Sequence, residues 1–325
     1  MNTATAAFPA PVPTLGPEAV TSFRRDGFLI VRRLVDADDI AAIADHAQAI
    51  LDGTLPGLAE LIGRDPAVMS QAELASAATR LHMLHRRRAE HERWLLHPRL
   101  LDALAILIGP DLLALQSMLF IKPPGSGGQG WHQDSLYIPT QPLSLCGAWL
   151  AVDRVDDENG GVWFARGSHA EPIYPPAHPG DLAEWGERHI PGIQALGGSS
   201  DQRFAPVAAR YPAVLGAMEP GDCVFFHGSI LHRSGPNRSS DRLRRAFVGH
   251  YCHARSFVGW GADIAVGNVH RAPITDPVSG MTNASHILAR GDSHLPFRGS
   301  AFGTPCAADL TAEQRRARSW NQHHS

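Results

Sequence analysis

The sequence predicts a mainly β protein with flanking helices, built on a double-stranded β-helix (jelly roll, cupin-like) core. Three observations point there. After Pro110 the chain becomes a series of short β-type segments broken by Gly, Pro, Asn and Asp. The first third carries helix start and stop signals instead. Strands do not alternate with helices as in βαβ units, so a sandwich or barrel is favoured over a parallel sheet.

Taken in order, residues 1–16 are rich in Ala, Pro and Thr and read as a flexible tail. Pro17 followed by an amphipathic stretch to Gly27 is a short helix with Pro at its start and Gly at its end. Phe28–Val31 is a short apolar strand, and Asp36 with Asp39 opens an Ala- and Ile-rich helix to about Leu51. Asp65-Pro66 and His97-Pro98 mark two further helix starts, the second helix stopping at Gly109-Pro110. Strands are expected at Leu115–Ile121, Leu145–Val152, Gly161–Ala165, Cys223–Phe226 and Ala246–Tyr251. Ala170–Pro212 reads as a long insertion between strands, the length at which loops become lids or binding loops. Within it Tyr174, His178, Trp185 and His189 are candidate substrate contacts. Residues 17–325 form one domain: a helical part to about 110, a core over about 111–255, and an irregular C-terminal segment.

At 325 residues with 44% hydrophobic content, the chain has ample material for a core. Net charge is −3, and the basic run Arg86-Arg87-Arg88 reads as a solvated face, so no nucleic-acid partner is expected. No apolar run is long enough to cross a bilayer. Met1–Pro17 lacks the charged and apolar regions of a signal peptide. A soluble cytoplasmic protein without a membrane partner is expected, and the sequence carries nothing that specifies an oligomeric state. The four cysteines, Cys146, Cys223, Cys252 and Cys306, are far apart and suit a reducing compartment.

The chemistry concentrates at Trp131-His-Gln-Asp-Ser135 and, about a hundred residues on, at His232 in the stretch Gly221–Asn237. Residues i and i+2 of an extended chain share a face, so His132 and Asp134 can grip one ion. Two imidazoles and a carboxylate are the ligand set of a non-haem Fe(II) that keeps half its coordination sphere open. A His-x-Asp pair is weak alone, and His227 competes with His232 as third ligand. Context favours His232: Ser234, Gly235-Pro236 and Asn237 follow, then Arg244 at the start of the next apolar strand. An arginine fork there can hold the far carboxylate of a 2-oxo diacid chelating the iron, with Ser234 adding a hydrogen bond. Adjacent Arg245 is the fallback, since alternation turns only one of the two inward. His82, His85 and His91 lack a zincin glutamate and read as helix-surface residues. The glycine-rich Gly125–Gly130 lacks the end of a phosphate loop.

The chain resembles the phytanoyl-CoA dioxygenase family of Fe(II)/2-oxoglutarate oxygenases. The residues that carry the resemblance are Met118-Leu-Phe-Ile-Lys-Pro-Pro124, Trp131-His-Gln-Asp134 with Tyr137, and Cys146-Gly-Ala-Trp149. They continue through Glu158-Asn-Gly-Gly161, Arg166-Gly-Ser-His169 and Gly221-Asp222 with Phe226-His227. His232-Arg-Ser-Gly-Pro-Asn237, Arg244-Arg-Ala246 and His250-Tyr251 complete the set. The resemblance implies a jelly-roll core and His132, Asp134 and His232 as iron ligands. It implies Arg244 and Ser234 on the distal carboxylate of 2-oxoglutarate, Met118 and Trp149 lining that pocket, and Gln133 as a further contact. A family lysine contact has Arg80 as its nearest candidate. The implied cofactors are Fe(II), 2-oxoglutarate and O2, with succinate and CO2 released. Because Asp134 fills the position that related halogenases leave to a halide, hydroxylation, or a desaturation or cyclisation variant, is expected. The expected substrate is a small-molecule metabolite or natural-product intermediate. An acyl-CoA ester is the alternative, and a silent binding or sensor protein a further one.

Overall fold

The computed structural model describes residues 15–174, 204–258, 274–275, 282–283, 286–294 and 297. Helix α1 (Pro17–Asp26) starts on Pro17 and is closed by Gly27 at φ 82°, whose N–H bonds Phe23 O. It leads into β1 (Phe28–Val31). Helix α2 (Ala37–Leu51) buries Ile40, Ile43, Ala47 and Ile50 on one face and carries Asp38 and Asp39 in its first turn. After α3 (Leu58–Ile62) the helix expected at Asp65-Pro66 is only a 3₁₀ turn, Pro66–Val68. A Ser70–Glu73 capping box restarts the chain as α4 (Gln71–Ala78). Helices α5 (Ala89–Leu95) and α6 (Pro98–Ile108) follow a short strand β2 (Arg80–His82).

The β region holds β3 (Leu112–Lys122), β4 (Gln129–His132), β5 (Thr140–Gln141), β6 (Cys146–Ala151) and β7 (Val162–Ala165). A helical turn α7 (Ala205–Ala208) precedes β8 (Ala213–Leu215), β9 (Cys223–His227), β10 (His232–Ser234) and β11 (Arg244–His253). Then come β12 (Phe257–Val258), β13 (Ile274–Thr275), β14 (Thr282–Asn283) and β15 (Ile287–Arg290). The major sheet has the order β1-β9-β6-β11-β3-β15, with β2 also on β3; the minor sheet runs β4-β10-β7-β8. The pairings within both sheets are antiparallel, and the two sheets form the jelly roll. Part of the C-terminal segment expected to be irregular is therefore structured, since β15 lies on β3.

Strand alternation divides the major sheet between two cores. Leu119, Ile121, Ala148, Leu150, Cys223, Phe225, Phe247 and Tyr251 face the helices. Their neighbours Met118, Trp149, Ala151, Val224, Phe226, Ala246 and Val248 face Val162 and Phe164 of the minor sheet. Tyr251 is fully buried and donates from its hydroxyl to Leu95 O at 2.7 Å, tying β11 to α5. Tyr251→Phe is expected to cost about 1–2 kcal/mol of stability with turnover unchanged, read by chemical denaturation.

The helical layer corrects two expectations. His85 and His91 are not surface residues: both are fully buried, His85 against Ser117 Oγ at 2.8 Å and His91 against His46 at 3.0 Å. Arg86 is also buried, while Arg88 bonds Pro56 O and Glu90, so the basic run is not a solvated face. The cause is shared: the segment is sandwiched between α2 and the major sheet, a placement that local periodicity does not encode.

Candidate active site

His132 ends β4 and His232 begins β10, and the two are direct antiparallel partners with ring centroids 4.1 Å apart. Asp134 arrives differently from the expected strand alternation. The strand stops at His132, and Asp134 opens a 3₁₀ turn, Asp134–Leu136, that swings its carboxylate under both rings. Its Oδ1 lies 3.6 Å from His132 Nε2 and 3.7 Å from His232 Nε2. The three residues offer ligand atoms all within 4.8 Å of one another, and both distances to Asp134 Oδ1 fall under the roughly 4 Å that two bonds of about 2 Å can span.

Hydrogen bonds prepare both rings. His132 Nδ1 donates to Gly130 O at 2.8 Å and His232 Nδ1 to Ile230 O at 3.1 Å, so each ring presents Nε2 as its acceptor nitrogen, that of His132 meeting the Gln129 amide at 3.1 Å. Burial, aided by neighbouring His232, pushes the His132 pKa down to about 3, so this imidazole is neutral as a ligand must be. Burial works to raise the Asp134 pKa, but His232, His250 and His132 together hold it below the usual carboxylate range. Two imidazoles and a carboxylate brought together in this way are a donor set that fits Fe(II) with open positions.

The second oxygen, Asp134 Oδ2, accepts a hydrogen bond from His250 Nε2 at 2.9 Å. His250 is buried on the inner face of β11 and leaves Oδ1 alone to meet the metal. Carboxylates that bind metals are commonly oriented in this way. His250→Ala is expected to weaken iron binding about 10- to 100-fold while the fold persists, and His250→Asn to recover part of that loss. Competition against a chromophoric chelator measures both.

On the same inner face as His250 stand Met118 and Phe120 of β3, Trp149 of β6 and Arg244 of β11. Arg244 is 2% exposed, held between the Trp149 and Phe120 rings at 5.4 and 5.9 Å, and its Nε has no hydrogen-bond partner. Burial pushes its pKa down to about 10, though nearby Asp153 opposes the shift. A desolvated guanidinium with free donors is a receptor for a carboxylate. Arg245 turns the other way and forms a bidentate pair with Asp153 at 2.7 and 2.9 Å. Ser234 Oγ, at the end of β10, accepts from Gln129 N at 3.2 Å and faces Lys122. Met118 packs in the inner cluster with Trp149 and Val248.

Gln133 is turned away from this pocket, and its expected co-substrate contact is corrected. Its amide donates to Ser229 O at 2.8 Å and Pro172 O at 3.2 Å and accepts from Tyr174 N at 3.3 Å. It pins the metal turn to the chain that enters the insertion. Tyr174 itself is bound to Glu171, which also accepts from Tyr211. His178, Trp185 and His189 lie outside the described residues. His227 is outside the metal group; its Nδ1 accepts from Ser229 N at 3.1 Å. Arg80 donates from Nε to His82 at 2.9 Å and stacks on Phe120, within electrostatic reach of Asp134.

Sequence reasoning missed three residues here: His250, Lys122 and Gln129, whose amide lies 3.1 Å from His132 Nε2. The first two stood within quoted motifs, but neither had a spacing signal linking it to the triad.

A family model described as phytanoyl-CoA dioxygenase (PhyH) matches residues 23–246. The chain is 29% identical to the peroxisomal phytanoyl-CoA dioxygenase of Rattus norvegicus over 240 residues, 70% of this chain and 66% of that protein. It thus spans about two thirds of that relative. Identity is also 29% with dioxygenase FrzG of Cladobotryum sp, covering 72% of this chain and 73% of that one. Among solved structures, the non-heme monooxygenase ThoJ superposes with TM-score 0.53 at 26% identity, covering 75% and 81% of the two chains. The 2-oxoglutarate-dependent carbocyclase SnoK does so with TM-score 0.55 at 22% identity, covering 77% and 88%, a likeness of fold alone.

Proposed function

The chain belongs to the phytanoyl-CoA dioxygenase family, and from that premise we propose its reaction. It is an Fe(II)- and 2-oxoglutarate-dependent dioxygenase that hydroxylates an aliphatic C–H bond of a small-molecule metabolite or natural-product intermediate. The observation that carries this reading is the convergence of His132, Asp134 and His232 within 4.8 Å.

Iron, 2-oxoglutarate and O2 together supply the oxidising power to break an unactivated C–H bond, with succinate and CO2 as by-products. The chain's own residues orient and exclude. His132, Asp134 and His232 would hold the metal. Arg244 and Ser234 take the distal carboxylate of 2-oxoglutarate, and Met118 and Trp149 wall its carbon chain. His250 fixes the Asp134 carboxylate, and the buried aromatic surroundings exclude water from the reacting centre. Asp134 occupies the position a halide would need.

The acyl-CoA relatives favour a second reading, hydroxylation of an acyl-CoA ester. Against it, the two unpaired basic side chains described at the site, Lys122 and Arg244, are buried on the inner face and not open to the phosphates of coenzyme A. One experiment separates these readings from each other and from a silent binding protein. Iron-loaded protein with 2-oxoglutarate and O2 is expected to form succinate, and a metabolite pool to show a product heavier by one oxygen. Product from a branched acyl-CoA instead would establish the second reading. Absence of succinate under all conditions would sink both.

A further inference from the structure

Lys122 and Arg244 are direct partners across β3 and β11, so their side chains leave the sheet on the same inner face. Both are buried, at 4% and 2% exposure. Two like charges placed opposite each other repel, and a buried pair without a counter-ion is costly. No ion pair joins either of them to a carboxylate among the described residues. Lys122 Nζ donates to Gly235 O at 2.8 Å and lies 3.4 Å from Ser234 Oγ. Its stem packs on Gly160, and Asn237 binds only its backbone carbonyl. The groups facing the amine are therefore Arg244 from β11 and the Ser234 hydroxyl and Gly235 carbonyl from β10 and its turn. Asp153, the acid that acts on Arg244, is itself committed to Arg245.

Resting on the reading of this pocket as the 2-oxoglutarate site, we propose that Lys122 is the second cation of the carboxylate clamp. It takes up its proton when the distal carboxylate arrives, so co-substrate binding and protonation are one event. Before binding, Arg244 alone is charged and the Lys122 amine is neutral, hydrogen-bonded to Gly235. When the carboxylate settles between them, it turns a repulsive pair into an attractive triad, and a proton from solvent completes the ammonium. In keeping with this geometry, burial and the Arg244 charge push the Lys122 pKa down to about 6. Linkage then sets the sign: above about pH 6 the free protein lacks the proton that the complex holds, so affinity falls as pH rises. The fall is about tenfold per pH unit until the pKa of the complex is reached.

Calorimetry tests this on the full chain loaded with Fe(II) under anaerobic conditions, titrated with 2-oxoglutarate in buffers of different ionisation enthalpy. Uptake of about one proton at pH 7.5 is expected, declining toward zero below pH 6. Lys122→Met should bind without proton uptake and with an affinity that no longer varies with pH. Should that variant not fold, wild-type protein titrated with 2-oxobutanoate, which lacks the distal carboxylate, should take up no proton. Binding of 2-oxoglutarate without proton uptake by the wild type, or equal uptake by Lys122→Met, overturns the proposal and leaves the dioxygenase reading intact. Failure of the loaded wild type to bind 2-oxoglutarate at all removes both.

Discussion

Purified His232→Ala protein is expected to lose at least about 100-fold in iron affinity and to form succinate at under about 1% of the wild-type rate. Loss of an oriented partner behind a ligand already costs 10- to 100-fold, so loss of the ligand itself sets a floor at the upper end. No substitute stands nearby: the metal group among the described residues is His132, Asp134 and His232 alone. The His232 ring also packs on Phe226, centroid to centroid 4.8 Å, so truncation leaves a cavity as well as a missing donor. His232→Gln keeps most of the volume and separates the two effects. Both variants should show native circular dichroism, with iron content and succinate measured after reloading. Near-normal turnover by reloaded His232→Ala would refute the ligand assignment. Asp134→Gly is expected to behave similarly.

Arg244→Met is expected to raise the KM for 2-oxoglutarate between about 30-fold and several thousand-fold, with kcat at saturation changed far less. The range corresponds to about 2–5 kcal/mol for removing one partner of a buried charge pair. Methionine retains contact with Trp149 and Phe120, so the loss reports the missing fork and not the packing. Arg245→Met is the built-in control. It breaks the Asp153 pair and the 3.0 Å bond to Ala44 O of α2, so it should lower the melting temperature and leave the KM alone. An unchanged KM in Arg244→Met would remove this residue from the co-substrate site.

These two residues also mark how far the sequence reaches. The period-two argument that only one of Arg244 and Arg245 points inward holds, because a long regular strand enforces it. The same argument applied to His132 and Asp134 brought the right residues together for the wrong reason. There the strand ends and a 3₁₀ turn does the work, a local event with no hydrophobic period to announce it. Capping residues, Pro and Gly placed α1, α2 and α6 well, since those signals are local. They failed at Asp65, where the Ser70–Glu73 box competes a few residues downstream. His250, Lys122 and the burial of His85 and His91 were beyond reach for another reason. Each depends on which elements lie side by side, from 32 residues apart for His85 and Ser117 to 116 for His250 and Asp134, and such pairing leaves no trace in one chain's spacing.

Strand β11 acts as a ruler. Arg244 and His250 project from one face six residues apart; in the proposed reading the first would grip the tail of the keto acid and the second would steady the ion at its head. A shift of one residue against β3 would exchange the whole set for Arg245, Phe247 and Tyr251. The gap between the two grips is thus set in discrete backbone steps, and sliding the strand cannot lengthen it gradually. A variant accepting a keto diacid one methylene longer must therefore come from new side chains in the pocket, with the strand left in register.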